Sequence, residues 1–334
     1  MKIVYLHSLN KNQFNDAFEE IVDGLKFNNV TCKVCPKEIK YKDVKGCDIV
    51  IFDTPSTMKK MLGYLPQIID KQIYNLKLGI FSADFWVELC SVHTEKWLRE
   101  NQVSDFIIFR HSSGFDLFNK KFKMFKKALK EKINISKSPH KFVNIEDASI
   151  NFKNAILSPF TISSDRMKLS DNIKKEYDLC LGGHVCSWYP LREKIFNIVS
   201  KSKFKIIDPQ ISRHSGKRRE LFTPYYDAIS KSWLSLATTG LANISVRKHL
   251  EICGLGSTWL GNETGLPDHD LIRSNGINID ISMTDNEILS KIEESLSDKK
   301  RLQEMVNSVK DKVREEYDYR NVAKKLCRDL GDIK

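Results

Sequence analysis

The sequence predicts an α/β protein of two domains, each built on a mostly parallel sheet covered by helices. Three observations carry that expectation. Short β-type runs alternate with amphipathic or polar segments through the first 150 residues, the rhythm then breaks in one polar stretch, and a second alternating series follows. A chain of 334 residues also exceeds the usual size of one hydrophobic core, while its 41% apolar and 29% charged residues are those of an ordinary globular protein.

The first series reads KIVYLHS, NVTCKVC, CDIVIFD, KLGIFSAD, VSDFIIFRH and HKFVNI, and it defines a domain over residues 1–155. The break is ILSPFTISSDRMKLSDNIKKE, rich in Ser, Asp, Asn and Lys with no sustained period, which makes residues 156–175 the expected linker. The second series, over residues 176–334, runs YDLCLGGH, KFKIIDP, SWLSLATTG, STWLGN and GINIDIS. It ends in charge-rich helical segments, where Ile288, Ile292, Leu296, Leu302, Val306 and Val309 recur mostly at three- and four-residue steps. Two such domains are expected to bind ligand in a cleft between them, outside the carboxyl ends of the strands.

Composition narrows the function. The amino terminus MKIVYLHS reads as a strand rather than a charged segment followed by an apolar one, and no apolar run approaches the roughly 20 residues that span a bilayer, so a cytoplasmic location is expected. Six of the eight cysteines, Cys32, Cys35, Cys47, Cys90, Cys180 and Cys253, lie in or beside apolar runs and read as buried thiols; the lone CxxC of Cys32 and Cys35 has no second pair at zinc spacing. An excess of 54 Lys and Arg over 43 Asp and Glu, +11 in all, favours anionic partners. Part of it is the stretch Lys120 to Lys141, with nine lysines against Glu131 alone, in which Phe118, Phe122, Phe125 and Leu129 recur at helical spacing. The segment around Lys120–Lys132 is therefore an amphipathic basic helix, which either docks on its own sheet or rests peripherally on an anionic membrane or acceptor.

The segment VRKHLEICGLGSTWLGN, Val246 to Asn262, carries the most chemistry. A helix starting near Val246 holds Arg247 and Glu251 one turn apart on one face and ends at Gly254 to Gly256 before the next strand. A carboxylate so held accepts hydrogen bonds from vicinal ribose hydroxyls, and a neighbouring guanidinium neutralises a diphosphate. Spacing alone equally admits a surface ion pair.

Here the sequence resembles a known family, the GT-B glycosyltransferases of group-1 type, and in particular the branch of the spore maturation protein CgeB. YDLCLGGHVCSWYPLR (Tyr177 to Arg192) resembles the opening of that family's second domain, a strand, a small-residue loop and a Tyr-Pro-x-Arg step. LSPF (Leu157 to Phe160) resembles its apolar-Pro-Phe junction, Arg247 with Glu251 and Gly254 to Gly256 its Arg-x-x-x-Glu helix, and YDYR (Tyr317 to Arg320) its last helix start. The likeness covers about residues 155 to 330 and implies two Rossmann-like domains facing each other across a cleft. It also implies an enzyme of polysaccharide biosynthesis that moves a sugar, hexosyl-like, from a nucleotide-sugar to a glycan, lipid-linked or other hydroxyl acceptor. A UDP-sugar is the first expectation for the donor. On this resemblance Glu251 binds the donor ribose, Arg192 or Arg247 meets the diphosphate, and Gly182 and Gly183 let the backbone approach the phosphates. Ser230 and Lys231 match a Ser-Lys pair of relatives, though a lysine complementing a helix terminus reads equally well. Asn243 stands where retaining relatives carry a second acid, which leaves the stereochemical outcome open.

In the first domain the active residues follow from position. His7, Asp53, Asp84 and His111 fall at carboxyl ends of strands, and an inverting transferase needs a base for the acceptor hydroxyl. Asp84, among aromatic residues in GIFSADFWVE, is the first candidate and His7 the second. Asp268 and Asp270 of PDHD imitate a metal motif in a Pro-containing loop, and no essential metal or other cofactor is expected; HSGKRRE (His214 to Glu220) reads as a solvated basic loop. Two other classes remain: a protein that binds or glycosylates nucleic acid, which is not the expected partner, and a non-catalytic nucleotide-sugar-binding module to which Asn243 points.

Overall fold

The computed structural model describes residues 2–6, 16–35, 49–52, 77–82, 106–110, 155–157, 160–183, 185, 189–209, 218–239, 247–262 and 270–331. The chain divides into two compact units. One comprises Met1–Ser113, Ser136–Pro159 and Tyr319–Lys334, the other Gly114–Ile135 and Phe160–Asp318.

The first unit carries strands β1 (Lys2–Leu6), β2 (Thr31–Cys35), β3 (Ile49–Phe52), β4 (Lys77–Ser82), β5 (Phe106–Arg110) and β6 (Ala155–Leu157). They lie in the order β2-β1-β3-β4-β5-β6, every pairing parallel. Their sequences are apolar and rich in β-branched and aromatic residues, as strands of a parallel sheet commonly are. Helix α1 (Asp16–Phe27) joins β1 to β2 and buries Ile21, Val22 and Leu25. It ends at Asn29 in the left-handed region (φ 61°), where the amides of Val30 and Asn29 close on the carbonyls of Leu25 and Lys26 as in a Schellman turn.

In the second unit, strands β7 (Tyr177–Cys180), β8 (Ile206–Ile207), β9 (Ser232–Ala237), β10 (Thr258–Gly261) and β11 (Gly276–Asn278) form an all-parallel sheet in the order β11-β10-β9-β7-β8. Counted within each unit, the first five strands run second, first, third, fourth, fifth in both sheets. Side chains alternate along a strand, so Leu179 and Leu181 enter one core cluster and Cys180 the other. On the first face pack α3 (Pro190–Val199) and α7 (Asp285–Ser297) through Ile195, Val199, Ile288 and Ile292. On the second lie α2 (Ser164–Lys168), α4 (Arg218–Ser230), α5 (Arg247–Gly254) and α6 (Asp270–Arg273). Helix α8 (Lys299–Glu316) reaches both clusters, with Leu302 in one and Val309 and Val313 in the other.

The structure moves two expected boundaries. Of the expected linker 156–175, the first residues belong to β6, which pairs with β5 through Phe109 and Ile156. The remainder is folded onto α8: Ile162 N donates to Tyr317 O at 2.9 Å and Met167 is fully buried. Arg314 donates to the carbonyls of Gly254 (2.7 Å) and Met167 (3.0 Å) and pairs with Asp171 at 2.8 Å, holding that carboxyl below its ordinary range. The Ser and Asp of this stretch thus meet partners far along the chain, which local polarity does not reveal. Nor does the second domain run to residue 334. Helix α9 (Tyr319–Gly331) belongs to the first unit, where Val322, Ala323 and Leu326 are buried and Asn28 Nδ2 donates to Arg320 O at 2.9 Å. The start of α4 at Arg218 also turns the end of HSGKRRE from an expected loop into helix.

Helices α1 and α9 approach closely only because residue 24 lacks a side chain. A Cβ on Gly24 would overlap the Tyr319 carbonyl oxygen and stand 2.7 Å from Ala323 Cβ. Backbone cannot yield as a flexible side chain does, so Gly24→Ala should cost about 1–3 kcal/mol. Calorimetry should show the first unit melting earlier, and limited proteolysis should cleave within 319–334 sooner; wild-type behaviour in both would refute this packing.

Candidate functional site at the carboxyl end of the second sheet

In the second unit the strand order reverses between β7 and β9, whose following loops leave in opposite directions. Such a switch point opens a crevice at the carboxyl ends of the strands. The residues gathered there come from five places in the sequence. After β7 comes Leu181-Gly182-Gly183, then Tyr189 and the first turn of α3, with Pro190 at its start. After β8 comes Asp208, and after β9 Thr238 and Thr239. Helix α5 adds Arg247, Lys248 and Glu251, and α4 adds Tyr225 and Tyr226.

Arg192 is the bridge between β7 and β9. It is 5% exposed, its Nε donates to Thr238 Oγ1 at 3.2 Å and its Nη2 to Thr238 O at 3.3 Å, and its guanidinium lies 4.0 Å over the Tyr189 ring. Planar stacking and two fixed acceptors orient this cation far better than a lysine could be oriented. Gly183 adopts φ +126°, a conformation that side chains rarely accept, and a Cβ there would strike the Lys248 ammonium and come within 3.2 Å of Arg192 Nη1. A Cβ on Gly182 would meet the Tyr225 ring at 3.0 Å. The two glycines therefore let backbone, Arg192, Lys248 and Tyr225 share one small volume.

Glu251 is 6% exposed. Arg247 Nε stands 3.1 Å from its Oε1, at an angle that makes an ion pair rather than a hydrogen bond, and Tyr226 Oη donates to the same oxygen at 3.3 Å. The i,i+4 pair is nearly buried, with the two side chains 14% and 8% exposed, which distinguishes it from an ordinary surface pair.

Lys248, absent from the sequence reading, donates from Nζ to Gly182 O and lies 5.8 Å over the Tyr225 ring. Part of its side chain reaches solvent while the ammonium is enclosed. Burial pushes its pKa down to about 7, nearby Arg192 pushes the same way, and Cys180, Glu251 and Asp208 oppose them. Burial raises the Tyr225 phenol well above its ordinary value, and its hydroxyl has no hydrogen-bond partner among the described residues. Asn262 ties the ends of β9 and β10 together, accepting from Thr239 N at 2.9 Å, donating to Thr239 Oγ1, and lying 3.3 Å from His249 Nε2 through its carbonyl. The only sign of Lys248 in the sequence was a second cation beside Arg247. Nothing in the sequence singled out Tyr225 or Thr238.

The structure brings Gly182, Gly183, Arg192, Arg247 and Glu251 into this cluster. It places Ser230 and Lys231 elsewhere, at the amino end of β9, roughly 20 Å of strand from Thr238 at about 3.3 Å per residue. There Ser230 Oγ donates to Tyr226 O at 2.8 Å and Lys231 pairs with Asp227 at 2.8 Å, so both serve the end of α4. Asp84 and His7, like Asp53, His111, Asn243 and the Lys120–Lys132 segment, lie outside the described residues. Among the described residues no group of His, Cys, Asp and Glu could hold a metal, and no helix is long and apolar enough to cross a membrane. Asp270 pairs with Arg273 at 3.1 Å.

No family model matches the chain, and no curated protein matches it in sequence. Solved structures do resemble it over their whole length. Sucrose-phosphate synthase from Thermosynechococcus elongatus superposes with a TM-score of 0.60 at 10% identity, both chains covered in full. HepE from Anabaena gives 0.61 at 8% identity with the same coverage, and a glycosyltransferase from Rickettsia africae 0.54 at 13% identity with 99% of each chain covered. These likenesses establish the fold class as GT-B, an α/β architecture of two Rossmann-like units.

Two lysines of this unit whose ammonium groups are enclosed make its stability depend on pH. Lys175, whose Nζ donates to Ser232 O at 2.8 Å and to Gly256 O, is likewise pushed by burial down to about 7. An unfolded lysine titrates near 10.4, so between about pH 7 and 10 the unfolded chain binds more protons and stability rises with pH. Raising the pH from 7 to 9 should therefore stabilise the second unit against urea, and Lys175→Met and Lys248→Met should each flatten the rise. A flat profile in the wild type would rule out this enclosure.

Proposed function

We propose that the protein is a glycosyltransferase of group-1 type, in the CgeB-like branch. It takes a nucleotide-sugar, a UDP-sugar first, and transfers the sugar to a hydroxyl of a glycan or lipid-linked acceptor. The observation that carries this reading is the convergence at one switch point of a two-glycine loop, the stacked Arg192 and the buried carboxylate of Glu251. Glu251 accepts from the ribose hydroxyls. The Gly182–Gly183 backbone, Arg192 and the start of α3 face the diphosphate. HepE, of the same fold, has been crystallised with UDP and with UDP-glucose, which supports uridine as the first nucleotide to try.

In the transfer, the bond from sugar C1 to the diphosphate oxygen breaks, the acceptor oxygen bonds to C1, and the acceptor proton passes to a base. The nucleoside diphosphate leaves with one more negative charge, which Arg192 and the α3 amino terminus offset. Asp84 is the base we propose, with His7 the second choice. The lysine-rich segment around Lys120–Lys132 is the proposed acceptor-side or membrane-facing surface.

A thermal-shift panel of UDP, GDP, CMP, ADP and their sugars tests the donor, since a ligand bound only by the folded state raises the melting temperature. Glu251→Gln should weaken nucleoside diphosphate binding by about 1–3 kcal/mol in calorimetry, and unchanged affinity would overturn the ribose assignment. Gln is preferred to Ala because Glu251 holds both Arg247 and Tyr226. Chelation should leave turnover largely intact, because side chains and helix termini offset the leaving diphosphate; loss with EDTA and recovery with manganese would contradict this. Replacing Lys123, Lys126, Lys127 and Lys130 with Gln should abolish liposome flotation or transfer to a polyanionic acceptor while nucleotide affinity stays at wild type, each lysine near an anionic surface being worth about 1 kcal/mol.

A further inference from the structure

We propose that Lys248, and not Arg247, is the second cation on the donor's diphosphate, working beside Arg192 at the Gly182–Gly183 loop, while Arg247 acts only through Glu251 as a positioning residue. The inference rests on the donor site proposed above and assigns the work within it.

Helix geometry separates the two cations. Neighbouring residues on an α-helix point about 100° apart, whereas i and i+4 share a face. Arg247 and Glu251 are such an i,i+4 pair, and the guanidinium lies against the carboxylate at 3.1 Å. Lys248, one step round the helix, sends its side chain to the loop after β7, where Nζ donates to Gly182 O. The site of a Gly183 Cβ would be crowded by the Lys248 ammonium and by Arg192 Nη1 together, so the two cationic heads are near neighbours. Arg247 and Lys248 thus serve different groups, one the carboxylate and the other the glycine loop.

Charge points the same way. Among the described residues no carboxylate lies within ion-pair distance of the Lys248 ammonium; Asp208 and Glu251 act on it only through space. It shares its enclosure with Arg192, a like charge, and has a neutral carbonyl and an aromatic face as company. An enclosed ammonium without a counter-ion is costly, and an arriving phosphate oxygen supplies what it lacks. Arg247 already has its anion.

The roles predict different losses along a series of probes. Uridine, UMP, UDP and inorganic pyrophosphate are titrated by calorimetry into the wild type and into Lys248→Met, Lys248→Arg and Arg247→Gln, each first shown to melt cooperatively. Lys248→Met should lower affinity for UDP and pyrophosphate about 10- to 100-fold, the worth of one charge-assisted hydrogen bond, and leave uridine unchanged. Lys248→Arg should recover part of the loss. Arg247→Gln should weaken uridine and UDP by the same factor and leave pyrophosphate as in the wild type. Wild-type UDP affinity in Lys248→Met, or equal loss of uridine and UDP, overturns the assignment while the donor site stands. A wild type that binds UDP, GDP, CDP and ADP no better than buffer removes the donor site and this inference with it.

Discussion

The second unit depends on one constraint: all of its strands run parallel. A parallel strand reaches its neighbour only through a crossover, so every loop leaving a strand toward its helix emerges at the same end of the sheet. That end collects Leu181 to Gly183, Asp208, Thr238, Thr239 and Asn262, residues otherwise distant in sequence. The opposite end collects the amino ends of the strands and receives Ser230, Lys231 and Lys175. The sheet itself therefore sorts these polar residues between its carboxyl and amino ends. Reversal of the winding between β7 and β9 then opens the carboxyl end where Arg192 can reach across from α3 to Thr238.

Like charges meet at that end. Lys248 is enclosed beside Arg192, while Arg247 lies against the carboxylate of Glu251. Two cationic groups held close in an enclosed site oppose each other and cost stability. Burial of the Tyr225 hydroxyl without a partner among the described residues adds to the cost. Stability is supplied elsewhere in the unit, by two apolar clusters on the faces of the sheet and by Arg314, which ties α8 to the segment after β6.

Glu251 links the two cations of α5. Its carboxylate is oriented by Arg247 and Tyr226, and it acts through space on Lys248, which stands on the glycine loop. Glu251 and Lys248 thus stand on one helix of eight residues, α5, whose Schellman turn at Gly256 delivers the chain directly into β10.

By itself the sequence determined what depends on local pattern. Alternating β-type runs and helical periods announced two parallel-sheet units, because strand and helix periodicities are properties of consecutive residues. The i,i+4 spacing of Arg247 and Glu251, and the glycines at 182, 183 and 256, were legible for the same reason. Tertiary structure alone decided what depends on distance along the chain. It returned α9 to the first unit, where Gly24 admits Tyr319 and Ala323, and folded the polar stretch after β6 onto Arg314. It carried Ser230 and Lys231 away from the site, and it turned Lys248 rather than Arg247 toward the glycine loop. Which side chains meet at the switch point follows from strand order and from the one-residue rotation of a helix, and neither is written in the residues on either side of them.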